Sequence, residues 1–144
     1  MAEQAVQFYS ENIPFVLKNK TLIRQWIQTV VEQKRKQLGQ ISIVFCNDEY
    51  LHEMNVSYLD HDTLTDIITF DYTENKIISG DLFISRERVI DNAKTLKITQ
   101  TEELNRVMIH GILHLLGYKD KTAQDQAEMT NQENKALLLL KQIK

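Results

Sequence analysis

The chain has 144 residues, 42% hydrophobic and 26% charged, a composition that fits one ordinary folded domain over 1–144 and gives no sign of disorder or low complexity. Its 17 basic and 20 acidic side chains leave a net charge of -3, so no global basic field favours nonspecific nucleic-acid binding and any RNA contact must come from a local patch. A single cysteine, a start ("MAEQAVQFYS") without the layout of a signal peptide, and no apolar run near the roughly 20 residues that cross a bilayer together imply a cytoplasmic location and no membrane contact.

Residues 21–38 carry Leu22, Ile23, Trp26, Ile27, Val30, Val31 and Leu38 at steps of three and four. That is the apolar stripe of an amphipathic helix, which Gly39 should end, with Trp26 in the core. "ISIVFC", 41–46, is β-branched and aromatic and predicts a buried strand in which Cys46 is a small core side chain. Asn47 or Asp48 then caps a helix through Leu51, Met54 and Tyr58. The polar stretch "YLDHDTLTD", 58–66, breaks that helix and leads into "IITFDY" and, beyond the turn at "TENK", "GDLFIS", two further strands. Residues 86–95 predict a short helix. Thr99 with Glu102 reads as a capping box opening a helix through Leu104, Val107, Met108, Ile109 and Leu113, and Thr122 with Asp125 starts a last helix toward residue 140. Helices and strands are interspersed, with too few strands for a doubly wound sheet. The predicted class is α+β, a small mixed β-sheet flanked by helices.

The chemistry concentrates in "HGILHLLGYKD", 110–120. Residues four apart share a helix face, so the imidazoles of His110 and His114 can reach one point. Gly117 suits a helix C-terminus, and the reversal after it lets Asp120 return toward the histidines. A bare H-x-x-x-H is commonly just two helix residues, but the added Gly117 and Asp120 give the layout of a three-ligand metal site with one open position, as zinc takes. The spacing matches the metzincin peptidase pattern at His110, His114 and Gly117. Gly111, however, stands where those peptidases have their general-base glutamate, and losing such a base costs roughly 10²–10⁴ in rate, which disfavours peptide hydrolysis.

The same stretch resembles the YbeY endoribonuclease family, whose signature is H-G-x-L-H-L-x-G-Y-D-H, at His110, Gly111, Leu113, His114, Leu115, Gly117 and Tyr118. Upstream, "MNVSYL" and "DTLTDIITF" are similar to the family's L-N-x-x-[YW]-R and D-x-x-T-D-V-L-S-F segments, and "GDLFIS" falls at its G-D-I strand. The resemblance implies a cytoplasmic, metal-dependent endoribonuclease that prefers single-stranded RNA, matures ribosomal RNA and takes part in ribosome quality control. One zinc ion would be held by His110, His114 and Asp120, and the two histidines would act through the water that the metal activates. The alternative is a ribosome-assembly or RNA-binding factor, meeting ribosomal particles, in which the metal only fixes the fold.

Two positions depart from the family. Its third histidine falls at Asp120, still a competent though harder ligand. Its arginine falls at Leu59, and Arg86 or Arg88 would have to substitute for it unless they are solvated helix charges. His61 in the polar loop and His52 are weaker candidates for a role. Asp66 and Asp81 suit caps or turns better than catalysis, Thr69 and Phe70 belong on the strand bordering the cleft, and Lys34, Arg35 and Lys36 read as an exposed helix end.

Overall fold

Alternating apolar residues at 41–45 and 78–84 and helical stripes at 22–31 and 104–115 set the architecture, because each must bury one face. The computed structural model describes residues 5–59 and 65–144. Among them the order is β1 (Val6–Ser10), α1 (Lys20–Gln33), β2 (Gln37–Cys46), α2 (Asp48–Leu59), β3 (Ile67–Asp71), β4 (Ile77–Ser85), α3 (Arg86–Leu96), α4 (Gln100–Leu115) and α5 (Ala123–Ile143). The strands form one mixed sheet in the order β1-β2-β4-β3, with β1, β2 and β4 parallel and β3 antiparallel to β4. This is the α+β class that the sequence predicts.

One face of the sheet presents Ile41, Ile43 and Phe45 of β2 and Ile78, Leu82 and Ile84 of β4. They pack with Trp26 and Ile27 of α1, Met108 and Ile112 of α4, and Leu140 of α5 in the main core. The other face carries Cys46, Ile68, Phe70 and Phe83 beneath Tyr50, Leu51 and Met54 of α2. Each fully buried apolar side chain contributes about 1.5–3 kcal/mol, so this two-sided burial fixes where the sheet and α4 meet. Trp26 Nε1 donates to Ala136 O at 2.7 Å, tying α1 to the middle of α5.

Local signals account for most helix starts. The Asn47, Thr99 and Thr122 side chains accept from the backbone N–H groups of Tyr50, Glu102 and Asp125 at 2.8, 3.1 and 3.0 Å, and Ser85 does the same for Arg88. Such caps contribute about 1 kcal/mol each.

The structure differs from the sequence reading at the N-terminal side. Val6–Ser10 is an edge strand, which the sequence did not reveal because only Val6 of its five residues is buried. The first helix ends at Gln33 and not at Gly39, which lies within β2. Arg35 takes a left-handed φ of 60°, and Lys36 N–H closes onto Val31 O at 3.2 Å, so a non-glycine residue makes the reversal that was expected of Gly39.

Candidate metal centre

His110 and His114 lie one turn apart near the end of α4, with ring centroids 4.6 Å apart and Nε2 atoms 3.0 Å apart. The helix then closes with Gly117 N–H on His114 O and Tyr118 N–H on Leu113 O, both at 3.0 Å. Gly117 has φ +102°, and a Cβ there would meet nothing within 4 Å, so glycine is required by backbone conformation and not by space. The reversal brings Asp120 Oδ2 to 3.3 Å from each histidine Nε2, and Gln126 of α5 holds the loop by donating to Asp120 O at 3.0 Å. The three residues named from the sequence therefore meet at one point.

Their geometry fits a metal ion. The three donor atoms form a triangle with edges of 3.0, 3.3 and 3.3 Å. Tetrahedral bonds of about 2.0–2.1 Å, as for zinc to imidazole nitrogen and carboxylate oxygen, place neighbouring donors about 3.3 Å apart. Two nitrogen donors so close, with a carboxylate oxygen at equal distance from both, form a donor set of the kind a cation completes.

Exposure falls steeply behind this triangle, from 41% for the Asp120 side chain to 19% for His110 and 5% for Glu133. Glu133 of α5 places Oε2 2.5 Å from His110 Nδ1. Arg106 bridges Glu133 and the buried Glu103, which keeps its guanidinium charged through the Glu103 hydrogen bond in spite of burial. Burial pulls the His110 pKa down, but the Glu133 hydrogen bond and charge, aided by Asp120 and Asp66, outweigh it and leave the value raised. Asp66 is also raised, chiefly by burial, with His110 and Arg106 pulling the other way.

The triangle opens on a cleft of about 690 Å³. Thr65, Asp66, Thr69 and Lys121 line it, along with Asn55 of α2. β3 is the sheet's edge on this side. Ser85 N–H pairs with Asp66 O and Tyr72 N–H with Ser79 O, so antiparallel alternation turns the peptide groups of Ile67, Thr69 and Asp71 away from β4 and along the cleft. Gly111 faces the sheet and not this cleft: a Cβ there would run into Ile67 and Leu82. A side chain at 111 would have to displace the ends of the Ile67 and Leu82 side chains, so packing as well as sequence disfavours a peptidase base there.

Several other candidates lie elsewhere. Arg86 stacks over Phe15 and donates to Gln100, and Arg88 is paired with Asp48 and Asp91, so neither lines the cleft in place of the family's arginine. Among the described residues Lys121 is the one cation lining it. His61 and the side chain of Leu59 lie outside the described residues. His52 on α2 and Asp81, which accepts from Tyr72 Oη–H, do not line the cleft. Phe70 packs edge-on against Phe83 on the far face of the sheet, while its neighbour Thr69 borders the cleft. Lys34 is half-buried between Gln132 and the Tyr118 ring, not a free helix end. Burial, with Asp48 and Glu11 adding to it, pushes the Cys46 thiol up to about 12, which leaves it unreactive.

Sequence reasoning missed Glu133, Arg106 and Glu103. A signal was present: Met129, Gln132, Glu133, Ala136 and Leu140 form the buried face of α5, so an acid occupies a core register.

The chain is similar to known proteins over most of its length. The family profile described as "Endoribonuclease YbeY" matches residues 6–141. Relatives of that name include one from Christiangramia forsetii, 47% identical over 139 residues and covering 96% of both chains. Another, from Flavobacterium johnsoniae, is 50% identical over 125 residues, 87% of this chain and 90% of its own. A third, from Amoebophilus asiaticus, is 47% identical over 135 residues, 93% and 92%. The solution structure of TM1509 from Thermotoga maritima shares the fold, with a TM-score of 0.65 at 23% identity over 94% of this chain and 88% of that one.

Proposed function

Since the chain belongs to the YbeY endoribonuclease family, we propose that it cuts single-stranded RNA with one divalent metal, zinc, held by His110, His114 and Asp120. The observation carrying this reading is the donor triangle that opens on the cleft. A bound divalent ion supplies a Lewis acid for a phosphoryl oxygen and lowers the pKa of its water toward 7 from about 15.7, so no separate protein base at position 111 is needed.

The chain's own residues position the substrate. The cleft lies within the range of about 300–1,000 Å³ that encloses a small ligand, room for a nucleotide or two of an RNA strand. Lys121 offers a charge for a phosphate, and the outward peptide groups of β3 offer donors and acceptors to exposed base edges. Asp66, with proton affinity raised by burial, suits a group that exchanges a proton with the substrate. The biological setting we propose is ribosomal RNA maturation and ribosome quality control in the cytoplasm. No helix among the described residues is long and apolar enough to cross a membrane.

The test incubates the protein with labelled single-stranded RNA, the matching duplex and casein, alongside EDTA-treated and His114→Ala proteins. Single-strand cleavage that both controls abolish is the expected result. Cleavage unchanged in His114→Ala, or no cleavage while the protein still binds ribosomal particles, would replace this reading with an assembly factor whose metal is structural. Casein cleavage would revive the peptidase.

A further inference from the structure

Behind the donor triangle lies a buried set of charges. Glu103, Arg106 and His110 follow one another at steps of three and four along one face of α4, and Glu133 meets them from α5. Arg106 grips both oxygens of Glu103, Nε to Oε1 at 2.8 Å and Nη2 to Oε2 at 2.5 Å. Its Nη1 reaches Glu133 Oε1 at 3.4 Å, which leaves Glu133 Oε2 on His110 Nδ1 at 2.5 Å. Glu103 and Glu133 are 0% and 4% exposed. Two buried carboxylates thus share one guanidinium, and a residual negative charge faces the His110 ring. A buried charge without a counterpart is strongly unfavourable, so this set fits a cation on the far side of that ring.

We propose that Glu133 is a positioning residue that keeps the His110 proton on Nδ1 and turns the Nε2 lone pair to the cleft. Arg106, clamped by Glu103, selects which Glu133 oxygen does so. The inference rests on the metal-centre reading above. A neutral imidazole has one proton for two nitrogens, and an ionised carboxylate only accepts. With Glu133 Oε2 on Nδ1, the proton belongs there and Nε2 is free to ligate. The carboxylate also makes the ring a stronger donor. The register of α5 is fixed on either side of Glu133, by Lys34 donating to Gln132 Oε1 at 2.6 Å and by Trp26 donating to Ala136 O at 2.7 Å. Neither contact touches the site.

Cobalt(II) absorption titrations of wild type, Glu133→Gln and Glu133→Met provide the test, with thermal unfolding recorded for each. Glutamine is isosteric and keeps an acceptor for Nδ1–H but loses the charge, so cobalt affinity should fall about tenfold. Methionine loses both, and the fall should approach 100-fold. Nitrogen-15 imidazole spectra of the metal-free proteins, recorded at a pH alkaline enough for the ring to be neutral, should show His110 with Nδ1–H in wild type and Glu133→Gln, and a mixture of tautomers in Glu133→Met. Variants that bind cobalt as tightly as wild type, or a pure Nδ1–H tautomer in Glu133→Met, would overturn the assignment. Should Glu133→Met not fold, unchanged affinity in Glu133→Gln overturns it alone. A wild type that binds no cobalt removes the metal-centre reading and this one with it.

Discussion

Gly111 of α4 and Leu82 of β4 approach so closely that a methyl group between them would displace side-chain ends: a Cβ on Gly111 would stand 2.9 Å from Leu82 Cδ1 and 2.8 Å from Ile67 Cδ1. The close approach holds the histidine-bearing helix against the sheet. Gly111→Ala gains helix propensity but overpacks, and should destabilise the protein by about 1–2 kcal/mol. Gly111→Glu should cost more and should not create a peptidase. Urea midpoints and a casein assay check both, and a stable Gly111→Glu protein that cuts casein would contradict the packing argument.

Asp120 should prove a ligand that histidine can replace. Asp120→His should retain about one equivalent of zinc by elemental analysis, whereas Asp120→Ala should weaken binding markedly, because the loop after Gly117 delivers whichever donor stands at 120 to the same point. Equal affinity in all three proteins would place the third ligand elsewhere.

Two helix ends make opposite responses to glycine chemistry. Gly117→Ala should destabilise by about 1 kcal/mol although nothing stands near its Cβ, because φ is +102°. Lys97, with φ 59° at the end of α3, closes that helix the same way, so Lys97→Gly should stabilise by up to about 1 kcal/mol. Thermal midpoints moving in the same direction in the two variants would show that φ is not the deciding factor.

Asp66→Asn should lower the turnover number for RNA cleavage by about 10²–10⁴ while leaving zinc content unchanged, as loss of a proton-exchanging group would. A variant that cuts RNA at the wild-type rate would confine Asp66 to a structural role.

The raised His110 pKa gives the metal-free and metal-loaded proteins opposite pH trends. In the stripped protein the folded state binds the proton more tightly than the unfolded chain. The stability this adds is complete below the ordinary value of 6.5 and is lost as pH rises through the raised value. Metal needs the neutral ring, so zinc affinity should instead fall as pH drops through that raised value. Urea midpoints of EDTA-stripped wild type should decline relative to His110→Gln as pH rises above about 6.5, while zinc affinity rises with it. Parallel profiles for wild type and His110→Gln would remove the proposed linkage.

The meeting of His110, His114 and Asp120 was legible because they lie within eleven residues whose geometry is local, set by a helical turn and a left-handed glycine. The charges behind His110 were not, since Glu133 reaches it across 23 residues and "NQENK" looks like a solvated helix face until α5 is packed on α4. β1 was hidden for a related reason: an edge strand with one buried residue carries little alternation, and parallel pairing with β2 makes it a strand. The end of α1 was misplaced because Arg35 adopts a conformation that sequence signals assign to glycine or asparagine. The replacement for the family's arginine was sought at Arg86 and Arg88, whose partners, Phe15, Gln100, Asp48 and Asp91, emerge only in three dimensions.

The hydrogen bond from Trp26 to Ala136 spans 110 positions of the chain. During synthesis α1 leaves the ribosome early and α5 late, so this tie closes only near the end of translation. A nascent chain that stops short of Glu133 already holds His110, His114 and Asp120, but has neither the carboxylate behind His110 nor the helix that carries it. The charged set behind His110 is therefore completed late in biogenesis, with the arrival of the last helix.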